Sequence, residues 1–306
     1  MGGEPLMKQV FNDIPQEEYM LSGHTACPGC SAALSIRHAT KALGKETVFV
    51  ITACCFSIIS GQLPLRTFEL NVFHCPFPSA ASTGSGLKRG LAAMGDTTTQ
   101  VVVLAGDGGT FDIGLQGLSA AAERNEDIIF ICYDNEAYMN TGMQRSSATP
   151  FGSKSATSPA PKVKENPKKD IMKIIEAHAI PYAATATVAY PKDLLAKFQK
   201  AKTIKGFRFF HILCPCPPGW GVESDQTVEL SRLAVETGVF PLYEVENGEV
   251  TLNVTPQTLR PVADYLGSQR RFSTLSAEDI SKIQATIDRS WQALLNRSNT
   301  AEIQEG

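Results

Sequence analysis

Three stretches of this sequence carry side chains of a kind and spacing that could do chemistry. The first is Gly106-Asp107-Gly108-Gly109, which follows the apolar run Val101 to Ala105. The second is Asp134-Asn135, which follows Ile128 to Cys132 and leads into the polar turn Asn140-Thr141-Gly142. A carboxylate and a side-chain amide, joined by a backbone carbonyl and phosphate oxygens, suit a hard cation. Gly108 and Gly109 let the backbone come close, and the N-terminus of a following helix favours a diphosphate. The third is a set of cysteines: Cys27-Pro28-Gly29-Cys30, Cys54-Cys55 and Cys214-Pro215-Cys216. A lone Cys-x-x-Cys can be half of a zinc site, half of an iron–sulfur clamp or a redox dithiol, so the remaining ligands decide.

The elements around these stretches bring them to one place. Val101 to Ala105 reads as a buried strand, and Ile113, Leu115, Leu118, Ala121 and Ala122 recur at helical spacing, with Thr110 and Asp112 as candidate caps. Ile128 to Cys132 is the next strand, giving a βαβ unit whose crossover is long enough for parallel strands. Ligands on open parallel sheets sit at the carboxyl ends of the strands, which is where Asp107 and Asn135 fall. Thr47 to Ile51 is a strand running into Cys54-Cys55, and Phe207 to Leu213 runs into Cys214-Pro215-Cys216, so a third and a fourth thiol also stand at strand ends.

Elsewhere the chain alternates β and α. The expected fold class is α/β, a doubly wound, mostly parallel sheet with a C-terminal extension. A helix runs from Ala33 to Leu43, and residues 61 to 78 read as irregular. A small-residue helix covers 79 to 94, where Gly84-Ser85-Gly86 is read as close helix packing rather than a phosphate loop. Residues 145 to 168, rich in Ser, Thr, Pro and Lys, read as disordered or as a functional loop, favoured as a cover for the site. Asp170 to Ala179 and Pro191 to Lys202 are helices, Tyr182 to Val188 is a strand, and Phe207 to Leu213 is the last strand of the sheet. Beyond residue 221 the repeats stop. A helix is expected at Glu229 to Glu236, a hairpin across Tyr243 to Val254, and an amphipathic helix at Ala277 to Asn296 with Ile280, Ile283, Ile287, Trp291 and Leu294 on one face. Cys75 and Cys132 are read as buried core thiols.

The chain has 306 residues, 43% of them hydrophobic, and a formal net charge of −3. That balance gives no pull toward nucleic acid or a membrane surface. Eight cysteines without a secretion leader or an apolar spanning run argue for a cytoplasmic protein with metal or redox chemistry rather than a disulfide framework.

The Gly-Asp-Gly turn, helix, strand and Asn-bearing turn together resemble the thiamine diphosphate signature. The resemblance implies that Asp107, Asn135 and the carbonyl of Ala137 hold magnesium on the diphosphate, with Gly106, Gly108, Gly109 and Thr141 lining the cofactor. Asp134 departs from the asparagine usual before Asn135. With the cysteines added, the chain from about Gly23 to Glu246 resembles the β subunit of 2-oxoacid:ferredoxin oxidoreductases, of which pyruvate:ferredoxin oxidoreductase is the best known. The most specific matches are His24 to Cys30, Gly106 to Gly114, Tyr133 to Ser147 and Cys216 to Trp220.

Carried over by position, Cys27, Cys30, Cys55 and Cys216 are the ligands of one 4Fe–4S cluster, with Cys54 and Cys214 as alternatives. Asn140 matches an active-site asparagine near thiazolium and substrate. Phe111 and Pro78 stand where pyruvate enzymes have a small residue and an acidic one, which opens the substrate to oxalate or an arylglyoxylate. The mixed, polar residues 1–20 read as an arm, 21–220 as the thiamine diphosphate- and cluster-binding domain, and 221–306, where the repeats stop, as an extension expected to make subunit contacts.

The activity implied is oxidative decarboxylation of a 2-oxoacid, pyruvate first, with electrons passing to ferredoxin or a ferredoxin-like subunit and the acyl group to coenzyme A. An electron-sink cofactor beside a one-electron acceptor explains why one chain would hold both groups, since zinc is redox-inert. No second sheet-forming repeat is present to grip the aminopyrimidine, so another subunit must supply that domain. The competing readings are a zinc-stabilised, nucleotide-binding, non-redox protein and a non-redox thiamine decarboxylase or synthase.

Overall fold

The computed structural model describes residues 14–62 and 64–303. Strands apolar on both sides need cover on both sides, and that requirement sets the architecture. β1 (Thr47–Thr52), β2 (Asn71–Cys75), β3 (Gln100–Gly106), β4 (Ile129–Asp134), β5 (Tyr182–Thr187) and β6 (Arg208–Leu213) form a parallel sheet. A hairpin of β7 (Tyr243–Glu246) and β8 (Glu249–Leu252) adds antiparallel to β5, so the order is β2-β1-β3-β4-β6-β5-β7-β8. Arg208–Leu213 is therefore not the last strand in the sheet. The hairpin follows it in sequence and covers what would have been an open edge at β5.

Side chains alternate across each strand. Val102 and Leu104 of β3 join Ile129, Ile131 and Tyr133 of β4 on one face, under α1 (Ser31–Leu43) and α6 (Pro191–Thr203). Val101, Val103 and Ala105 join Phe130 and Cys132 on the other, under α3 (Ala80–Ala93), α4 (Leu115–Glu123) and α5 (Ile171–Glu176). α3 comes close enough to β3 that a Cβ on Gly84 would lie 2.3 Å from Val103 Cγ2, which accounts for the small residues there.

The chain leaves β1 toward β2 through α2 (Cys55–Ile59), but leaves β3 toward β4 in the opposite direction. The gap between the carboxyl ends of β1 and β3 is thus the switch point of the sheet, where doubly wound folds bind ligands. β2 corrects the irregular reading of residues 61 to 78. It is an edge strand whose residues before Cys75 are largely exposed, so it lacks the apolar run that marks the inner strands.

The C-terminal segment packs onto the sheet. Trp220 of α7 (Pro217–Trp220) and Leu213 share a core with Leu230 and Leu233 of α8 (Thr227–Glu236), and with Tyr265 and Leu266 of α9 (Val262–Leu266). Ile280, Ile283 and Ile287 of α10 (Ala277–Ile303) pack against it, and Leu294 joins the α3–α4 side. Residues 1–13 of the expected arm lie outside the described residues. Its remainder lies on the chain's own α1: Lys41 Nζ donates to the carbonyl of Pro15 at 2.9 Å, and Glu18 pairs with Arg37 and Lys41. Among the described residues no helix is long and apolar enough to cross a membrane.

Candidate active site

Asp107 ends β3 and opens a single wide turn, Gly108–Asp112, before α4 begins at Leu115 behind Gly114. A Cβ on Gly114 would sit 1.9 Å from the Gly109 carbonyl oxygen, so glycine is what lets the chain fold this tightly. Thr110 and Asp112 do not cap α4. Thr110 Oγ1 donates back to the Gly106 carbonyl at 2.8 Å, and Asp112 Oδ2 accepts from Tyr138 Oη at 2.8 Å and from the Ser147 amide at 3.1 Å. Ile113, expected on the apolar face, is exposed because the wide turn shifts the helical phase, whereas Leu118, Ala121 and Ala122 are buried as expected. The Tyr138 ring lies against Gly108, where a Cβ would come within 2.2 Å of its Cε1.

Asp107, Asn135 and Ala137 meet at one point. One terminal atom of the Asn135 amide lies 2.9 Å from the Ala137 carbonyl oxygen and 3.0 Å from Asp107 Oδ1. With its nitrogen inward the amide donates to both; with its oxygen inward, three oxygens face a common centre. Neighbouring ligands on an octahedral ion with bonds of ~2.1 Å stand about 3 Å apart. Carboxylate, amide and carbonyl oxygens are also the hard donors that magnesium takes, so these residues fit the ion in both spacing and chemistry.

The surroundings of Asp107 are buried and charged. Ser146 Oγ donates to Asp107 Oδ2 at 2.6 Å. Burial, and then the neighbouring Asp134 charge, push the Asp107 carboxyl well above the ordinary range. Asp134 faces the same burial but is held down to about 2, because Lys168 Nζ lies 2.5 Å from its Oδ2 and His211 Nε2 2.7 Å from it. Residues 146–153 and Lys164 are therefore packed against the site, while 156–162 and 165–167 are largely exposed. Lys164 and Lys169, like Lys168, turn inward, Lys164 onto the carbonyls of Ser147 and Thr149 and Lys169 onto that of Phe111.

The cysteines collect at the same end of the sheet. Cys27 and Cys30 sit before α1, and Ser31 Oγ donates to the Pro215 carbonyl at 2.6 Å, which ties that turn to Cys216. The Cys55 amide donates to Tyr133 Oη at 3.0 Å. Burial chiefly, with the thiols of Cys54, Cys216 and Cys30 adding to it, pushes Cys55 up to about 12. Burial likewise pushes Cys216 up to about 12, with Cys30 and Cys27 among the contributors. Cys30 contributes to the shifts of Cys55, Cys216 and Cys214 alike, so Cys54 and Cys214 belong to the same neighbourhood as Cys27, Cys30, Cys55 and Cys216.

Cys214 is instead buried, with its sulfur 3.8 Å from Ser35 Oγ, and Cys54 stands at the N-cap of α2. Among the described residues no three His, Cys, Asp or Glu side chains are close enough to share one metal ion.

Asn140 and Thr141 lie on the exposed turn after Tyr138, with Thr141 Oγ1 bonded to Gln144 Oε1 at 2.7 Å. Phe111 is fully buried, edge-on to His211 with ring centroids 5.6 Å apart. Four residues that touch Asp107 or the Asp134–Ala137 turn have no role of their own in the sequence reading: Ser146, Lys168, Trp220 and Arg271. Ser146 and Trp220 lie inside matched motifs, but only the fold reveals what they touch. Nothing local marks Lys168 or Arg271.

Residues 52–212 match the family described as thiamine pyrophosphate enzyme, C-terminal TPP binding domain. The chain is 46% identical over 284 residues to the pyruvate synthase subunit PorB of Methanothermobacter marburgensis, covering 92% of this chain and 99% of that one. It is 44% identical over 301 residues to the ketoisovalerate oxidoreductase subunit VorB of Pyrococcus furiosus, covering 95% and 96%. Among solved structures it is similar in fold to a chain of the 2-oxoglutarate:ferredoxin oxidoreductase from Magnetococcus marinus, with a TM-score of 0.58 and 19% identity over 89% of this chain and 96% of that one.

Proposed function

Because the chain belongs to the family of thiamine pyrophosphate-dependent 2-oxoacid:ferredoxin oxidoreductase subunits, we propose that it holds magnesium thiamine diphosphate and one 4Fe–4S cluster and works in the oxidative decarboxylation of a small 2-oxoacid. The observation that carries this reading is the meeting of Asp107, Asn135 and the Ala137 carbonyl within 3.0 Å. When bound, thiamine diphosphate supplies an electron sink for loss of carbon dioxide, and an iron–sulfur cluster accepts the electrons one at a time.

The chain's own residues have these parts in the proposal. Asp107, Asn135 and the Ala137 carbonyl hold the cation, and Ser146 fixes the carboxylate that faces it. The turn from Gly106 to Gly109 gives backbone room at the diphosphate. Cys27, Cys30, Cys55 and Cys216 ligate the cluster, and Asn140 and Thr141 face the cofactor from the turn beyond. Asn140 stands exposed, where a substrate held between this chain and another subunit can reach it.

Pyruvate is the first-choice substrate, and a relative named for pyruvate is 46% identical. A branched acid is the second reading, since a relative named for ketoisovalerate is 44% identical, nearly the same. Phe111 is buried against His211, so the alternative of oxalate or an arylglyoxylate rests on the exposed Pro78. Coenzyme A as acyl acceptor, ferredoxin as electron acceptor, and an extension at 221–306 that meets the other subunits complete the proposal.

The test is anaerobic purification of the whole complex, with iron, sulfide and zinc assayed. Turnover is then followed with pyruvate and with 3-methyl-2-oxobutanoate, coenzyme A and a one-electron dye. Brown protein without zinc and with magnesium-dependent turnover is expected. Zinc without sulfide, or turnover indifferent to thiamine diphosphate, would overturn the reading.

A further inference from the structure

The turn that carries the three oxygen donors is bent at Glu136, whose φ is +67°, a left-handed conformation uncommon for a residue with a side chain. That bend is what points the Asn135 side chain and the Ala137 carbonyl at one centre. The Glu136 amide donates to Asp134 Oδ1 at 2.9 Å, its carbonyl accepts from Thr149 Oγ1 at 2.6 Å, and its carboxylate supplies a third hold. It is 3% exposed and lies 2.7 Å from Lys168 Nζ and 2.7 Å from Arg271 Nη1.

Arg271 does a second thing. Its guanidinium lies 3.7 Å from the centroid of the Trp220 ring, and Trp220 Nε1 donates to the Asn135 carbonyl at 2.9 Å. Trp220 ends the one-turn helix that Cys216 begins, its amide donating to the Cys216 carbonyl at 2.8 Å. One buried guanidinium therefore touches both the turn that presents the cation ligands and the turn that presents Cys216. Lys168 reaches only the first of these.

We propose that Arg271 is a positioning residue that sets the Asn135–Ala137 turn for the cation and couples that turn, through Trp220, to the Cys216 segment. The inference rests on the cofactor reading above. It assigns to the C-terminal segment a role in the site beyond packing. The physical ground is that a ligand held in advance does not have to be ordered when the ion binds, and removing such an outer partner typically lowers metal affinity by roughly 10–100-fold.

The test uses the whole complex and Arg271→Met, which keeps an apolar stem over Trp220 and removes the charge at Glu136. Thiamine diphosphate binding is titrated against magnesium, at a temperature where circular dichroism shows the variant folded. At least a tenfold weaker magnesium-dependent affinity is expected. In the reduced wild-type protein, adding magnesium thiamine diphosphate should change the electron paramagnetic resonance spectrum of the cluster, and in the variant it should not.

If Arg271→Met does not assemble, Arg271→Lys carries the test. It keeps a cation for Glu136 but loses the flat contact with Trp220, so the spectral response should be lost with a smaller change in affinity. Wild-type affinity together with a wild-type spectral response in the folded variant overturns the proposal. A wild-type complex that binds no magnesium thiamine diphosphate overturns the cofactor reading instead, so the two failures are distinguishable.

Discussion

Ser146 Oγ donates to Asp107 Oδ2 at 2.6 Å across 39 residues of chain. The contact brings a segment without apolar periodicity down over the end of β3 and leaves Asp107 Oδ1 free to face Asn135. It also limits the ways the carboxylate can turn.

Ser146→Ala should therefore weaken magnesium-dependent thiamine diphosphate binding by roughly tenfold, the lower end of the range for an outer partner of a metal ligand. Asp107→Ala removes a ligand itself and should abolish binding while the cluster signal persists. Fluorescence titration of the cofactor against magnesium checks both. An unchanged titration midpoint for Asp107→Ala rejects the assignment.

Acidity should oppose the cation. Before the ion binds, burial and the Asp134 charge favour the protonated form of Asp107, and its folded pKa lies above the unfolded value. Magnesium needs the carboxylate, so binding expels a proton. Apparent magnesium affinity should rise with pH up to the folded pKa of Asp107 and level off above it. Calorimetry in two buffers of different ionisation heat should show proton release. Equal observed heats in the two buffers would rule it out.

Cys55→Ser and Cys216→Ser should each lose iron and sulfide on anaerobic purification, whereas Cys214→Ala should keep both. Cys214 is 1% exposed, with Ser35 as its neighbour, so its loss costs packing and not a ligand. Cluster loss in Cys214→Ala and retention in Cys216→Ser would reverse the assignment.

Two glycines of α3 should behave oppositely. Gly84→Ala drives a Cβ to 2.3 Å from Val103 Cγ2 and should destabilise by about 1–3 kcal/mol. Gly86→Ala meets nothing within 4 Å, and the gain in helix propensity should stabilise by roughly 0.5–1 kcal/mol. Denaturant melts of the two variants measure the difference. Equal midpoints would mean that α3 does not press on β3 as described.

The purified isolated chain should bind little cofactor and turn over no 2-oxoacid, because the described residues form a single sheet and the proposed site needs a second domain for the aminopyrimidine. Turnover by the chain alone, at a rate matching the complex, would contradict that.

The inner strands were legible because each is apolar on both faces. The run from Val101 to Ala105 needs no partner to be recognised. β2 was not, since an edge strand with exposed Asn71 and Phe73 shows neither alternation nor an apolar run. The closeness of Asp107 and Asn135 was legible because both stand at the ends of such strands, and parallel strands put their ends side by side. The caps of α4 were misread. Thr110 and Asp112 are cap-forming residue types, and local preference cannot reveal that a wide turn delays the helix to Leu115.

By itself the sequence brought Asp107, Asn135 and the cysteine pairs to the ends of strands, because strand identity and chain spacing are local properties and the sheet translates them into position, while spacing left Cys54 or Cys55 and Cys214 or Cys216 open. Only the tertiary structure decided what steadies those residues. Lys168 reaches Glu136 from a loop 32 positions downstream and Arg271 from a short 3-10 turn 135 positions downstream, and no period or motif encodes such a meeting. The choice to bury both charges is made by the folded interior, where an unpaired carboxylate costs more than bringing in its partners.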